Sequence, residues 1–313
     1  MSILGYLLRR ALVALTTLVV VSVVCFLLVN AARGDPALIA LEQSGETPTP
    51  DLLAEYRWQL GLNSPLPVQY VRWIERVVHG DLGRSILQRR PVATILGERV
   101  WPTLQLGLAT LAVSTLAGVV LGVVVAFSRA PFVDVAIRSA VVVAAAFPSF
   151  LVAIGLIMLI GERLRLVPVA GYGSPQHLIL PVLALSIVPA ASTLRLTRSA
   201  VRSVLAEDFV RTARSKGLAE WTIAVRHVLP SAAAPLIASV GVRFGQILAG
   251  TVVIETIFAW PGMATAVITA ISGRDVPVIA GYVLITGTLV IVANFLTDLV
   301  TRLVDPRVAA GAR

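Results

Sequence analysis

Lysine is almost missing from this 313-residue chain: Lys216 stands alone against 25 arginines. A phosphate-binding loop of the form GxxxxGK[ST] needs a lysine placed directly after a glycine. Lys216 follows Ser215 and precedes Gly217, so the chain has no such loop, and any ATP hydrolysis must be done by another chain. Cysteine is reduced to Cys25, inside the apolar run VVCFLLV. One cysteine closes no intramolecular disulfide, and a metal site needs more ligands than this. Histidine occurs only as His79, His177 and His227, with no HExxH pair, so no metal signature is present. Charge is scarce as well, at 14% of residues against about a quarter in soluble domains.

Apolar residues fill the gap. They make up 57% of the chain, and the mean hydropathy is +0.88. A bilayer core of about 30 Å needs roughly 20 apolar residues in a helix. Six segments fit: residues 11–32, 101–128, 135–161, 178–194, 232–258 and 276–300. All six are expected to be helical, because backbone amides in lipid must bond within their own segment. The first follows Arg9 and Arg10, and its VNA stretch resembles a signal-peptide cleavage site. Its apolar run exceeds the roughly 7–15 residues of a signal sequence, so a retained helix is expected. The short MSILGYLLRR before it reads as an interfacial piece.

The flanking charges orient the chain. With both termini in the cytoplasm, 14 lysines and arginines fall on the inner side and only Arg163, Arg165 and Arg274 in the two short outer loops. That is a positive-inside distribution. The net charge of +9 therefore reads as orientation charge rather than a nucleic-acid surface. Residues 33–100 are then external, with eight basic and eight acidic residues, many prolines and glycines, and a helix expected after Pro50. A small water-facing cap of mixed structure is expected there. The organisation expected is 1–32 as interfacial segment and first membrane helix, 33–100 as the external domain, and 101–313 as a five-helix core with a cytoplasmic loop at 200–230. The chain has no evident internal repeat, and no pair of matched broken helices.

Few residues suggest chemistry. GYGSPQH brings Ser174 within three residues of His177, but a Gly/Ser/Pro turn in an external loop is the ordinary reading. Glu255 and Asp298 lie towards the ends of the fifth and sixth segments. Ion-coupled carriers keep carboxylates deep in the membrane, so a secondary carrier is the alternative function with little support. A membrane-anchored scaffold is a third. Arg243 is the one charge near a segment midpoint, where an unpaired arginine costs several kcal/mol. Either it lines a translocation pathway or it packs against carbonyls or an acid of a neighbouring helix.

The block RTARSKGLAEWTIAVRHVLP, residues 211–230, interrupts this apolar chain with three arginines, a histidine and the only lysine. Before it, Val201, Leu205, Phe209 and Ala213 form one helical stripe. Glu207, Arg211 and Arg214 oppose them, with Glu207 four residues before Arg211 in the favourable ion-pair order. Gly217 is expected to end this helix in a left-handed C′ position. A second short helix is expected over 220–228 with Trp221, Val225 and Val228 as its stripe, and Pro230 is expected to break the chain before the fifth segment. A basic loop on anionic lipid explains the charge. It does not explain a glycine turn between two amphipathic helices, a shape suited to a groove on a soluble partner.

RTARSKG, nine further residues, then HVLP resembles the cytoplasmic loop of ABC importer permeases. That pattern reads Glu-Ala-Ala, three residues, Gly, nine residues, Ile, one residue, Leu-Pro. Arg211, Thr212 and Ala213 stand at Glu-Ala-Ala, Gly217 at the glycine, His227 at the isoleucine, and Leu229 and Pro230 at the close. Arginine and histidine at those two positions are similar to the peptide-importer branch. RGDPA, LGLNSPLPVQYVRWI, HGDLGRSI, PTLQLGLATL, LPVAGYGS, VIETIFAWPGM and LTDLVTRLVDPR resemble the same branch in order along nearly the whole chain. The resemblance is to B-type permeases of dipeptide and oligopeptide importers. It implies an all-α polytopic membrane protein of the type I importer permease fold, with six transmembrane helices and a small external domain after the first. It implies a non-catalytic subunit of a bacterial cytoplasmic membrane, working with a second similar permease, two cytoplasmic ATPase subunits or domains, and an extracytoplasmic substrate-binding protein. ATP and magnesium belong to the ATPase partners, and no cofactor is expected on this chain. The family carries dipeptides, longer peptides, nickel chelates, glutathione or haem-like molecules. Arg211, Thr212, Ala213, Arg214 and Gly217 take the place of the ATPase contact, with Leu229 and Pro230 as its structural close.

Overall fold

The computed structural model describes residues 3–31, 37, 38, 41, 49–59, 62–128 and 130–304. Residues 33–36 of RGDPA, Arg129, and the closing residues 305–313 lie outside the described residues. The helices in chain order are α1 (Ile3–Ala31), α2 (Pro50–Gln59), α3 (Leu66–Val78), α4 (Val92–Phe127), α5 (Pro131–Ala146), α6 (Ser149–Leu156), α7 (Gln176–Leu205), α8 (Asp208–Ser215), α9 (Glu220–Ile223), α10 (Leu229–Ala238), α11 (Val240–Ile257), α12 (Met263–Ser272) and α13 (Val276–Val304). Wide π-type turns extend α6 over Ile157–Arg163 and α9 over Ala224–Val228. Among the described residues the one isolated β contact is an antiparallel bridge between Arg84 and Pro91.

Five helical stretches are long and apolar enough to cross a bilayer: Leu8–Asn30, Val92–Phe127, Gln176–Leu205, Val240–Ile257 and Val276–Leu303. A sixth crossing exists if α5 and α6 with its extension are taken as one span, but these are bent by 98°. The single helix expected over 135–161 is therefore corrected. Phe147 is extended (φ −79°, ψ 131°) because Pro148 follows it. A proline disfavours helical backbone at the preceding residue and donates no N–H of its own. The segment expected at 232–258 is likewise interrupted by a turn at Ser239.

The expected segment bounds were set by hydropathy, and the backbone ignores hydropathy at two of them. α4 begins at Val92, nine residues before the apolar run, because Glu98 and Arg99 lower the average without breaking a helix. α7 runs on past residue 194 to Leu205, accommodating Pro181 and Pro189. Among the described residues of 33–100 are the helix expected after Pro50 and a second one, α3.

The chain divides into two compact units. The first comprises Met1–Ala11, Pro102–Pro261 and Val292–Arg313. One of its cores gathers Leu106, Leu180, Leu185, Ile254, Phe258 and Trp260. α4 and α7 approach closely in this unit: a Cβ on Gly118 would collide with Thr193 and the Ala190 carbonyl, and one on Gly122 with Thr197. Glycines four apart on one helix thus meet threonines four apart on the other, the small-residue packing that membrane helices favour.

The second unit comprises Leu12–Trp101 and Gly262–Ile291. Val92, Ile95, Leu96, Ala266, Ala270 and Val278 form its core. Asp275, 1% exposed, accepts hydrogen bonds from Ser85 Oγ (2.5 Å), Ile86 N (3.1 Å) and Leu87 N (3.3 Å). α3 rests on α1 through Tyr70 and Trp73, whose rings lie 5.5 and 5.7 Å from that of Phe26, and through a 2.8 Å hydrogen bond between Tyr70 and Ser22.

Candidate functional site

The block between α7 and α10 is built from short helices on a common core. α7 stops at Leu205, and Ala206 and Glu207 turn the chain before α8. That turn breaks the helical register, so the stripe expected through Leu205, Phe209 and Ala213 is corrected. α8 buries Val210 and Ala213, and Phe209 is 43% exposed. Glu207 sits before the helix, so the expected Glu207–Arg211 pair is replaced by Arg211 and Asp208 at 3.8 Å.

Gly217 follows α8 with φ +74°. Its N–H bonds the Arg214 carbonyl at 2.9 Å, and the Leu218 N–H bonds the Ala213 carbonyl at 3.3 Å. These two bonds are a Schellman motif, as the glycine's position leads one to expect. Arg214 then grips Glu220 with two contacts of 3.0 and 3.2 Å, tying α8 to α9 across the glycine.

The expected second stripe is corrected too. Ile223, Ala224 and Val228 are buried, whereas Trp221 is 75% exposed and Val225 points outward. The wide turns at Ala224–Val228 hold more residues per turn than an α-helix, which rotates one end of the segment relative to the other. They also explain why Pro230 does not break the chain. Proline cannot complete the bond to the carbonyl four residues back. A wide turn just before it removes that demand, and the helix continues as α10 with Pro230 in its first turn.

One side of the block, Val210, Ala213, Ile223 and Val228, packs with Ala126, Val201 and Ala232. The other side presents Arg211, Thr212, Arg214, Leu218 and Trp221. Leu229 is half-buried and Pro230 exposed at its end. Of the residues expected at the contact, Arg211, Thr212 and Arg214 thus share the open face. Ala213 belongs to the core and Gly217 shapes the turn. Regular helical spacing put Trp221 in the apolar stripe, which hid its outward position. Asp208, three residues before Arg211, was legible as its partner. The GxxxG spacing of Gly118 and Gly122 was a second available signal.

The other candidates each contact neighbouring residues of the chain. Arg243 is 5% exposed, and its guanidinium donates to Thr193 Oγ1 and to the Leu236 carbonyl at 3.3 Å, at the turn between α10 and α11. A carbonyl bond of this kind is what the packing alternative calls for. Glu255, fully buried, accepts from Thr103 Oγ1 at 2.8 Å, and Asp298 pairs with Arg10 at 3.0 Å. Ser174 Oγ and His177 Nδ1 are 2.8 Å apart inside a turn, and among the described residues no carboxylate bonds His177.

The described residues thus form a helical chain with five or six apolar spans and an exposed basic face that carries Trp221. Comparison with known proteins gives the class. Residues 118–310 match the model described as "Binding-protein-dependent transport system inner membrane component", and residues 3–106 match the corresponding N-terminal model. The chain belongs to this family of inner membrane components. It is 35% identical over 311 residues to the probable peptide ABC transporter permease protein y4tP of Sinorhizobium fredii, covering 97% of this chain and 98% of that one. It is 35% identical over 305 residues to the glutathione transport system permease protein GsiC of Salmonella paratyphi A, covering 97% and 99%. An inward-facing structure of the MetNI methionine ABC transporter matches with a TM-score of 0.59 at 16% identity, over 67% of this chain and 96% of that one. The fold is therefore that of an ABC importer permease, and the resemblance read from the sequence holds.

Proposed function

We propose that this chain is one of two similar permease subunits of an ATP-driven importer for peptides or comparable small solutes, forming half of the translocation pathway. It lies in the bacterial cytoplasmic membrane with both termini in the cytoplasm. Two ATPase subunits or domains holding ATP and magnesium lie beneath, and a substrate-binding protein delivers from outside. The names of the relatives support the peptide class, since both glutathione and peptides are amide-linked solutes.

The observation that carries the coupling role is the build of residues 206–230: a buried apolar side, a Schellman turn and an open face of Arg211, Thr212, Arg214 and Trp221. Leu229 and Pro230 close the element. A lever that switches a membrane unit between two states must be stiff and must make different contacts in each. The Arg214–Glu220 tie and the glycine turn supply the stiffness. Arg243 has a packing role in this reading, holding the turn between α10 and α11.

Gly217→Val tests the proposal. No atom lies within 4 Å of a Cβ there, so the substitution strains only the turn. Normal membrane insertion with reduced ATP-coupled uptake is expected. Full uptake with unchanged ATPase activity of the assembled importer would falsify the coupling role.

A further inference from the structure

A cavity of about 560 Å³ opens between α5 and α7 in the first unit. Val142, Val143 and Leu194 form its apolar wall, and Ser139, Arg195 and Arg198 its polar end. Nothing in the coupling block uses it.

Its depth follows from helix geometry. Counting from Gln176 at 1.5 Å per residue, Arg195 lies about 28 Å and Arg198 about 33 Å along α7. A hydrocarbon core is about 30 Å thick. The two guanidiniums therefore sit at the headgroup level on the side of the coupling block. Asp134 of α5 meets Arg198 at 2.7 Å, so Asp134 shares that level. Val142 and Val143 lie two turns further along α5, about 12 Å deeper, where acyl chains run.

The charges at the polar end do not balance. Asp134 serves both Arg198 and Arg202, the latter at 3.4 Å through the same oxygen. Among the described residues Arg195 has no carboxylate partner, and the buried Nε of Arg198 has no hydrogen-bond acceptor. A site with surplus guanidinium donors beside an aliphatic wall calls for an oxyanion attached to an apolar body.

We infer that this cavity binds an anionic phospholipid of the inner leaflet, its phosphate on Arg195 and Arg198 and an acyl chain along Val142, Val143 and Leu194. Phosphate oxygens match the guanidinium fork. Basic pockets between membrane helices on the cytoplasmic side suit such headgroups. Val142 and Val143 are more than half exposed, so the wall is open for a chain to enter.

The test is native mass spectrometry of the detergent-purified protein, with whatever subunits accompany it. Phosphatidylglycerol is added as probe and phosphatidylethanolamine as the zwitterionic comparison. Preferential retention of phosphatidylglycerol is expected. Arg195→Gln should lower that retention about tenfold, as for loss of one charged hydrogen bond, with an unchanged melting temperature in detergent. Equal retention of both lipids, or undiminished retention in Arg195→Gln, overturns the inference. Displacement of the lipid by a dipeptide would also overturn it, because the oxyanion would then be a solute carboxylate. Should Arg195→Gln melt early, Val143→Trp fills the cavity with both arginines in place. Lost retention supports the site and undiminished retention rejects it.

Discussion

Gly217 and Gly118 are both indispensable glycines for opposite reasons. At Gly217 there is open space and a left-handed backbone, so an L residue costs about 1–2 kcal/mol through its own conformation. At Gly118 the backbone is ordinary helix and there is no space, because Thr193 fills it. Gly118→Ala should lower the melting temperature of the purified protein, while Gly97→Ala, where a Cβ meets nothing within 4 Å, should hold or raise it by the helix-propensity gain of about 0.5–1 kcal/mol. A similar drop at both positions would show that the α4–α7 contact does not limit stability. Asp275 is the corresponding polar case. Asp275→Ala leaves the Ser85 hydroxyl and two amides without their acceptor, at about 1–3 kcal/mol for each one left buried. Limited proteolysis should then cut the segment after Gly83 faster than in the wild type. Arg243→Gln should lower protein yield and melting temperature; normal values for both would return Arg243 to the translocation pathway.

At the scale of elements, the apolar segments were readable because composition alone decides whether a helix survives in lipid. Their interruptions were harder to read. Pro148 was a printed warning of the bend after α5, yet Pro181 and Pro189 sit within an unbroken α7. Proline kinks or not according to whether neighbours re-satisfy the freed carbonyl, which no single sequence reveals. The block at 206–230 shows the same limit. Its glycine turn was legible from φ preference, whereas its buried face was not, since the turn at 206–207 and the wide turns at Ala224–Val228 shift the register twice. The resulting exposure of Trp221 carries its own expectation. Trp221→Ala should weaken co-purification of the ATPase by about tenfold or more, the order of an interface hot spot, while leaving insertion intact. Undiminished co-purification would remove Trp221 from the interface.

For the whole molecule, burial sorts the spans into two kinds. Half of the most apolar window of Gln176–Leu205 is buried, and 44% of that in Val240–Ile257. The corresponding shares are 17% for Leu8–Asn30 and 22% for Val276–Leu303. The first pair packs mainly within the first unit, and the second leaves most of its surface uncovered by this chain. Leu116, Val120 and Val124 on α4, and Val292, Leu296 and Val300 on α13, make exposed stripes of the kind lipid covers. Composition anticipated the membrane, but not this ranking, which depends on which helices end up surrounded.

The scarcity of lysine has a practical side. Lys216 caps α8 and is exposed beside Gly217, so the chain's single side-chain amine marks the turn proposed to move. A lysine-specific protease has one site in the entire polypeptide, and an amine-reactive dye has one side chain to find. The state of that turn can therefore be followed in the unaltered protein, with no engineered reporter.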